Sequence, residues 1–371
     1  MESLMQEALD RVRRQYGVGL KLSKSRPGSV LPKIELQSGE IRFNPKLQSF
    51  LTLYNLMIQL EDIDSECVTL FRLYNLYLDN DAYSLAESIL RQLEHELDSF
   101  VRQLRSVDIR SVKQSVEIQM LFFLLHEIGH AVVYHKSEVR QQLLEDAKKS
   151  VKFFSDIQTD HIPEKMKDYL HTFVPNGLPK ELQQEMFDGI YTTYIKHWKE
   201  IYDFSRYLQP ENEWMLEECA CDHFAWLRAW VQYMEKVGMS GEAVMRCNID
   251  LQLTLHIYNY DKAMESIFVQ KSEDGKIDEL REEGIRRAAL RDCIHNFYKQ
   301  IYPVDHASQF LSLAEKRDER AKRLLICSTV QHITDMNTLQ DVPSELFSVS
   351  RVEALEERFA EIEKRVLNCV K

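Results

Sequence analysis

The residues best suited to chemistry stand together in Leu124-Leu125-His126-Glu127-Ile128-Gly129-His130-Ala131. Two histidines four positions apart share one face of a helix, so both imidazoles can reach one Zn²⁺ at about 2.0–2.1 Å. Glu127 projects beside them without ligating. A carboxylate in that place can take a proton from an activated water and later pass it to a leaving amine. The flanking Phe122, Phe123, Leu124, Leu125, Ile128, Ala131 and Val132 predict that this helix is buried. Ionisable groups buried without partners are costly, and a metal ion removes that cost.

Such a site takes a third protein ligand. The extended pattern HExxHxxGxxH would need Gly and His where the chain has Val133 and Lys136. His135 points about 140° away from His130 around the helix and reads as a surface residue or as one that supports a ligand from outside. The other common solution is a glutamate from a later helix with an aspartate one turn on. The segment Glu217-Glu218-Cys219-Ala220-Cys221-Asp222-His223-Phe224-Ala225 supplies it. Glu218 would be the ligand, and Asp222 would accept the far N–H of a ligand histidine, fixing its tautomer. Glu217 is the competing ligand, about 100° away on the same helix. Glu218 is favoured because it alone has Asp222 at i+4. Cys219, Cys221 and His223 lie close by, but Cys-x-Cys with an adjacent His is a poor zinc spacing. Ala220 and Ala225 are small and predict a close approach of the two helices.

The elements that must hold these residues are mostly helices. Only 11 Gly and 9 Pro occur in 371 residues, where average usage would give about 26 and 18. Few turn formers mean long helices and few strands, so the predicted class is α+β, predominantly helical. Helices are expected over 1–16, 45–77, 82–106, 109–135, 139–157, 178–206, 212–238, 240–270, 276–300, 308–333 and 346–370. The one β region is 18–44, read as a short strand followed by a hairpin that turns at Ser38-Gly39. A loose boundary at 238–241 divides a core of 1–238 from a helical region of 239–371. Within the core, about 137–210 reads as a helical insertion between the two motifs.

The composition narrows the functional classes. Lys+Arg total 47 against 59 Asp+Glu, a net charge of −12. No basic surplus exists to neutralise phosphates, so nucleic acid is not an expected partner. The apolar stretch Met120–Leu125 is bounded by Glu117 and Glu127, and no membrane span is expected. Seven cysteines without CxxC spacing read as free thiols. With no signal-peptide pattern at the N-terminus, a cytoplasmic location is expected.

HExxH followed by ExxxD resembles the gluzincin class of zinc metallopeptidases. His126-Glu127-Ile128-Gly129-His130-Ala131-Val132, with Glu217-Glu218 through Asp222-His223-Phe224-Ala225, is similar to its small intracellular branch, the Lit-type phage-exclusion and ImmA/IrrE peptidases. The strand Gly39-Glu40-Ile41-Arg42-Phe43-Asn44 leading into the Leu51–Leu60 helix resembles the entry of the Lit type. The resemblance implies a small N-terminal sheet beside the active-site helix, a strand that can pair with an extended substrate, and hydrolysis of a peptide bond in an intracellular protein. It departs in the 87 residues between His130 and Glu218 and in lacking a helix-turn-helix partner. Related peptidases carry a His-Pro segment after the third ligand. The nearest counterpart here is Tyr302-Pro303-Val304-Asp305-His306-Ala307-Ser308, which lacks that proline. The resemblance makes His306 a candidate donor to a tetrahedral oxyanion. His256 is the alternative for that role.

Val352, Leu355, Phe359, Ile362, Val366 and Cys369 form a heptad seam of about two and a half repeats. It could pack on its own chain, self-associate or bind a partner helix through 352–369. The reading from another functional class is a helical interaction protein stabilised by a metal without catalysis.

Overall fold

The computed structural model describes residues 2–24, 31–44, 47–59, 66–79, 81–156, 179–202, 213–238, 241–268, 273–301 and 347–370, with the isolated positions 171, 174, 309 and 312. Eleven helices and three short strands occur among them. Helix α1 (Glu2–Tyr16) is followed by β1 (Lys21–Lys24), β2 (Lys33–Glu35) and β3 (Glu40–Phe43). Then come α2 (Leu47–Gln59), α3 (Glu66–Asp79), α4 (Tyr83–Leu104), α5 (Ile109–His135) and α6 (Ser137–Asp156). The last five are α7 (Lys180–Tyr202), α8 (Glu213–Val237), α9 (Gly241–Phe268), α10 (Glu273–Ile301) and α11 (Val349–Leu367). The helix expected over 45–77 is recorded as two, α2 and α3. Residues 60–65 between them lie outside the described residues. The helix expected over 308–333 lies almost wholly outside the described residues.

The motif helix α5 is the centre of the molecule. Asp108 caps it, its side chain accepting the backbone N–H groups of Arg110 and Ser111 at 3.1 and 3.3 Å. Residues from Ser111 to Val133 are buried on every face of it, the signature of a core helix. It is long and apolar enough to cross a membrane, yet 83% of its most apolar window is buried inside the protein. Helices α1, α2, α6, α8 and α9 and strand β2 pack around it. Asn55 on α2 and Gln119 on α5 exchange amide hydrogen bonds of 2.7 and 3.1 Å in the interior. One buried apolar cluster runs from Leu4 to Val366.

The hairpin turns at Gly39, as its sequence predicts. Gly39 has φ of +64° and packs so tightly that a Cβ there would meet the Gly19 carbonyl oxygen at 2.2 Å, so both the dihedral and the space require glycine. Strand β2 pairs antiparallel with β3, Ile34 opposite Ile41, and β1 pairs parallel with β3 on the other side. Among the described strands the order β1-β3-β2 leaves β2 at an edge, and β2 packs against α5.

The heptad seam of α11 is occupied within the chain. Leu355, Phe359, Ile362 and Val366 are buried, and Phe359 stacks on Tyr74 of α3 with ring centroids 4.0 Å apart. The Tyr74 hydroxyl donates to the Leu355 carbonyl at 3.0 Å.

Candidate metal centre

Two helices carry the two motifs, and α5 and α8 meet closely enough to merge them. The contact point is Gly129 against Cys221: a Cβ on Gly129 would lie 3.2 Å from the Cα, Cβ and Sγ of Cys221. Ala220 and Ala225, whose small size predicts a close approach of the two helices, are both fully buried on α8. Helix α8 is held in turn by α9 and α10. The Trp226 and Trp230 indoles both donate to Asn248 Oδ1, at 2.7 and 2.6 Å, and Asn248 donates to the Tyr298 hydroxyl at 3.2 Å. Behind α8 a second apolar cluster of Leu144, Ala147, Val151, Leu216, Cys219, Ile285 and Ala289 joins α6, α8 and α10. The first helix of the expected insertion thus supports the centre directly.

His126, His130 and Glu218 come together as a group that can hold a metal ion. His126 Nε2 lies 3.2 Å from His130 Nε2 and 3.3 Å from Glu218 Oε2, while His130 Nε2 lies 3.3 Å from Glu218 Oε1. Ligands at 2.0–2.2 Å from a tetrahedral ion stand about 3.3–3.5 Å from one another. The spacing of the two imidazole nitrogens and the Glu218 carboxylate is compatible with a metal ion bound by all three residues.

Each histidine has an outer carboxylate. Asp222 Oδ1 is 2.9 Å from His126 Nδ1. Glu217 Oε1 is 3.4 Å from His130 Nδ1, so the competing ligand of the sequence reading lies outside the three-residue group, behind His130. Arg140 Nη2 stands 3.9 Å from Glu217 and 3.2 Å from Glu213. Arg286 of α10, which no sequence motif marks, forks onto Asp222 at 2.8 and 2.9 Å and touches Glu218 Oε2 at 3.2 Å.

These charges shift one another. Burial works against a charged His126, but Asp222 and Glu218 prevail and raise its pKa to about 9. Burial likewise opposes the Glu218 carboxylate, yet His126 and Arg286 lower its pKa to about 2. Asp222 is held well below the usual carboxylate range by Arg286 and His126, against its burial. Burial pushes the Cys219 and Cys221 thiols far up, and neither belongs to the group that could hold a metal. His223 turns the other way, and its Nε2 bonds the Ala289 carbonyl at 3.1 Å.

Glu127 opens onto the same cavity of about 210 Å³ that His126, His130 and Glu218 line. Its Oε2 accepts the backbone N–H of Ile34, on the edge strand β2, at 2.8 Å. Leu31, Pro32, Phe122, Leu255 and Leu290 form much of the apolar wall. Of the two candidate oxyanion donors, His306 lies outside the described residues. His256 falls within α9, between the lining residues Leu255 and Tyr258, and its side chain is outside the described set. Among the described residues Cys219, Cys221, Cys247, Cys293 and Cys369 are free, as expected. In comparisons with protein-family models, curated proteins and solved structures, none matches this chain.

Proposed function

We propose that this protein is a zinc-dependent metallopeptidase that hydrolyses peptide bonds of a protein substrate. The observation that carries the reading is the convergence of His126 Nε2, His130 Nε2 and the Glu218 carboxylate, 3.2–3.3 Å apart, on a cavity that Glu127 also lines. Zinc held there would polarise a carbonyl as a Lewis acid and acidify a water. Glu127, anchored through one oxygen to the Ile34 N–H, keeps its other oxygen to accept a proton from water and return it to the leaving amine. Asp222 and Glu217 stand 2.9 and 3.4 Å from the far nitrogens of the two imidazoles, which would leave both Nε2 atoms for the ion. The edge strand β2 and the apolar wall border the place where an extended segment of substrate would lie.

The anchoring of Glu127 also supports a second reading, in which the metal ties β2, α5 and α8 into a scaffold and Glu127 only fastens the strand. Substitution separates the two. The purified protein should carry about one zinc per chain, lost in His126→Ala and in Glu218→Ala. Glu127→Gln should keep the zinc and reduce proteolysis by about 10²–10⁴-fold. The substrate would be found by comparing new protein N-termini in cells expressing wild type or Glu127→Gln. Identical N-termini in both, with zinc retained, would favour the scaffold.

A further inference from the structure

Arg286 reaches the centre from α10, 64 residues beyond Asp222 in the chain. Its guanidinium makes three polar contacts: Nε to Asp222 Oδ2 at 2.8 Å, Nη2 to Asp222 Oδ1 at 2.9 Å and Nη1 to Glu218 Oε2 at 3.2 Å. Asp222 in turn touches His126 Nδ1, and Glu218 touches His126 Nε2, at 2.9 and 3.3 Å. Arg286, Asp222, His126 and Glu218 thus close a ring in which each member contacts two others.

The fork onto Asp222 is an ordinary bidentate pair. The third contact is different in kind, because it sets a permanent cation against the carboxylate that a bound metal would need. Two effects then oppose each other. Without metal, the buried Asp222, only 2% exposed, and the partly buried Glu218 bring two carboxylates into one place. Like charges there are costly until cations neutralise them, and the charge of Arg286, unlike that of His126, does not depend on protonation. With metal, the same guanidinium stands a few ångströms from a dication and repels it.

We propose that Arg286 is a positioning residue that serves as the resident counter-charge of this centre. It keeps Asp222 and Glu218 assembled in the metal-free protein and loosens the hold on the bound ion, making the ion exchangeable. The inference rests on the metal-centre reading above.

The test compares full-length wild type, Arg286→Met and Arg286→Lys, stripped of metal and titrated with zinc against a chromophoric chelator. Melting is followed in parallel in EDTA and in excess zinc. Arg286→Met should melt lower in EDTA, show a wider gap between its zinc and EDTA midpoints, and bind zinc about tenfold or more tightly. Arg286→Lys keeps the charge but not the fork, and its zinc Kd should stay within about threefold of wild type. An Arg286→Met protein that folds only when zinc is added would support the same conclusion. Unchanged or weaker zinc binding by Arg286→Met overturns it, because Arg286 would then act only by orienting Asp222. Wild type that is folded yet binds no zinc removes the metal reading itself, and this inference with it. The two failures are therefore distinct.

Discussion

Between α4 and α11 the charges are matched one to one. Arg351 meets Glu87 at 2.6 Å, Arg358 forks onto Glu94 at 2.9 and 2.7 Å, and Arg365 meets Asp98 at 2.6 Å. Both members of each pair advance along the chain together, so the two helices run parallel, and the pairs line the rim of an apolar seam. Between α5, α8 and α10 the charges converge instead. Two imidazoles, two carboxylates and one guanidinium share a partly buried place, and most of them touch more than one neighbour. A ladder of exposed pairs fixes register and adds little energy per pair. A convergent, partly buried set is more expensive to assemble, and such sets are enriched where proteins do chemistry or bind ions. Perturbing each region should therefore give a different signature.

The largest expected effect lies in the seam. Phe359 is buried between Tyr74 and Phe71, with ring centroids 4.0 and 5.6 Å away. Phe359→Ala should cost about 3–5 kcal/mol by removing that packing. Chemical denaturation would measure the loss, and zinc content in the folded fraction should stay at the wild-type level. A parallel fall in zinc would mean that the seam and the centre are not separable.

The next effect should reverse that pattern, with a smaller loss of stability and a larger effect on metal. Adding a methyl at Gly129 forces it against the backbone and side chain of Cys221, each at 3.2 Å. Overpacking of this kind costs about 1–3 kcal/mol, offset by about 1 kcal/mol of helix propensity gained over glycine. Stability of Gly129→Ala should thus change by less than about 2 kcal/mol. Because His126 and His130 flank this point and Glu218 lies across it, moving α5 from α8 should weaken zinc binding. Adding Cys221→Ala, which removes the Sγ contact, should recover part of it. Zinc binding equal to wild type in Gly129→Ala would show that the centre tolerates the displacement.

The same contrast explains what was legible in the sequence. His126, Glu127 and His130 are legible because helical spacing alone puts them on one face. Glu218 and Asp222 follow because their i+4 relation lies within a second helix. The helices themselves could be read from apolar spacing, and the hairpin from the turn at Ser38-Gly39. Arg286 was missed because it sits in Arg281-Glu282-Glu283-Gly284-Ile285-Arg286-Arg287, where one arginine looks like another until tertiary packing singles it out. The Ile34 amide that holds Glu127 comes from 93 residues away, and a backbone N–H leaves no trace in residue type. Glu217 could be read as a ligand because local spacing does not say which of two adjacent carboxylates faces the ion. Gly129, visible inside the motif, was the available clue to the close approach, since a glycine within a buried helix needs a packing reason.

The smallest effect belongs to the ladder, and pH gives it a sign. Burial works against the charge on Glu87, but Arg351 and Arg91 outweigh it, so the carboxyl titrates below its ordinary 4.5. A carboxylate whose folded pKa is depressed stabilises the fold above its unfolded pKa and loses that contribution as pH falls through the folded value. Glu87→Gln should therefore cost less than about 1 kcal/mol at neutral pH. The gap from wild type should shrink as the pH is lowered from about 4.5 toward and through that depressed value, because protonation then removes the same charge from both proteins. Urea denaturation at neutral and acid pH would measure it, and added salt should narrow the neutral-pH gap as well. A gap independent of both pH and salt would mean that Glu87 acts through packing of its stem rather than through its charge. Zinc affinity should not move in either case, since this pair fixes how α11 lies on α4 and shares no partner with the converging charges around His126.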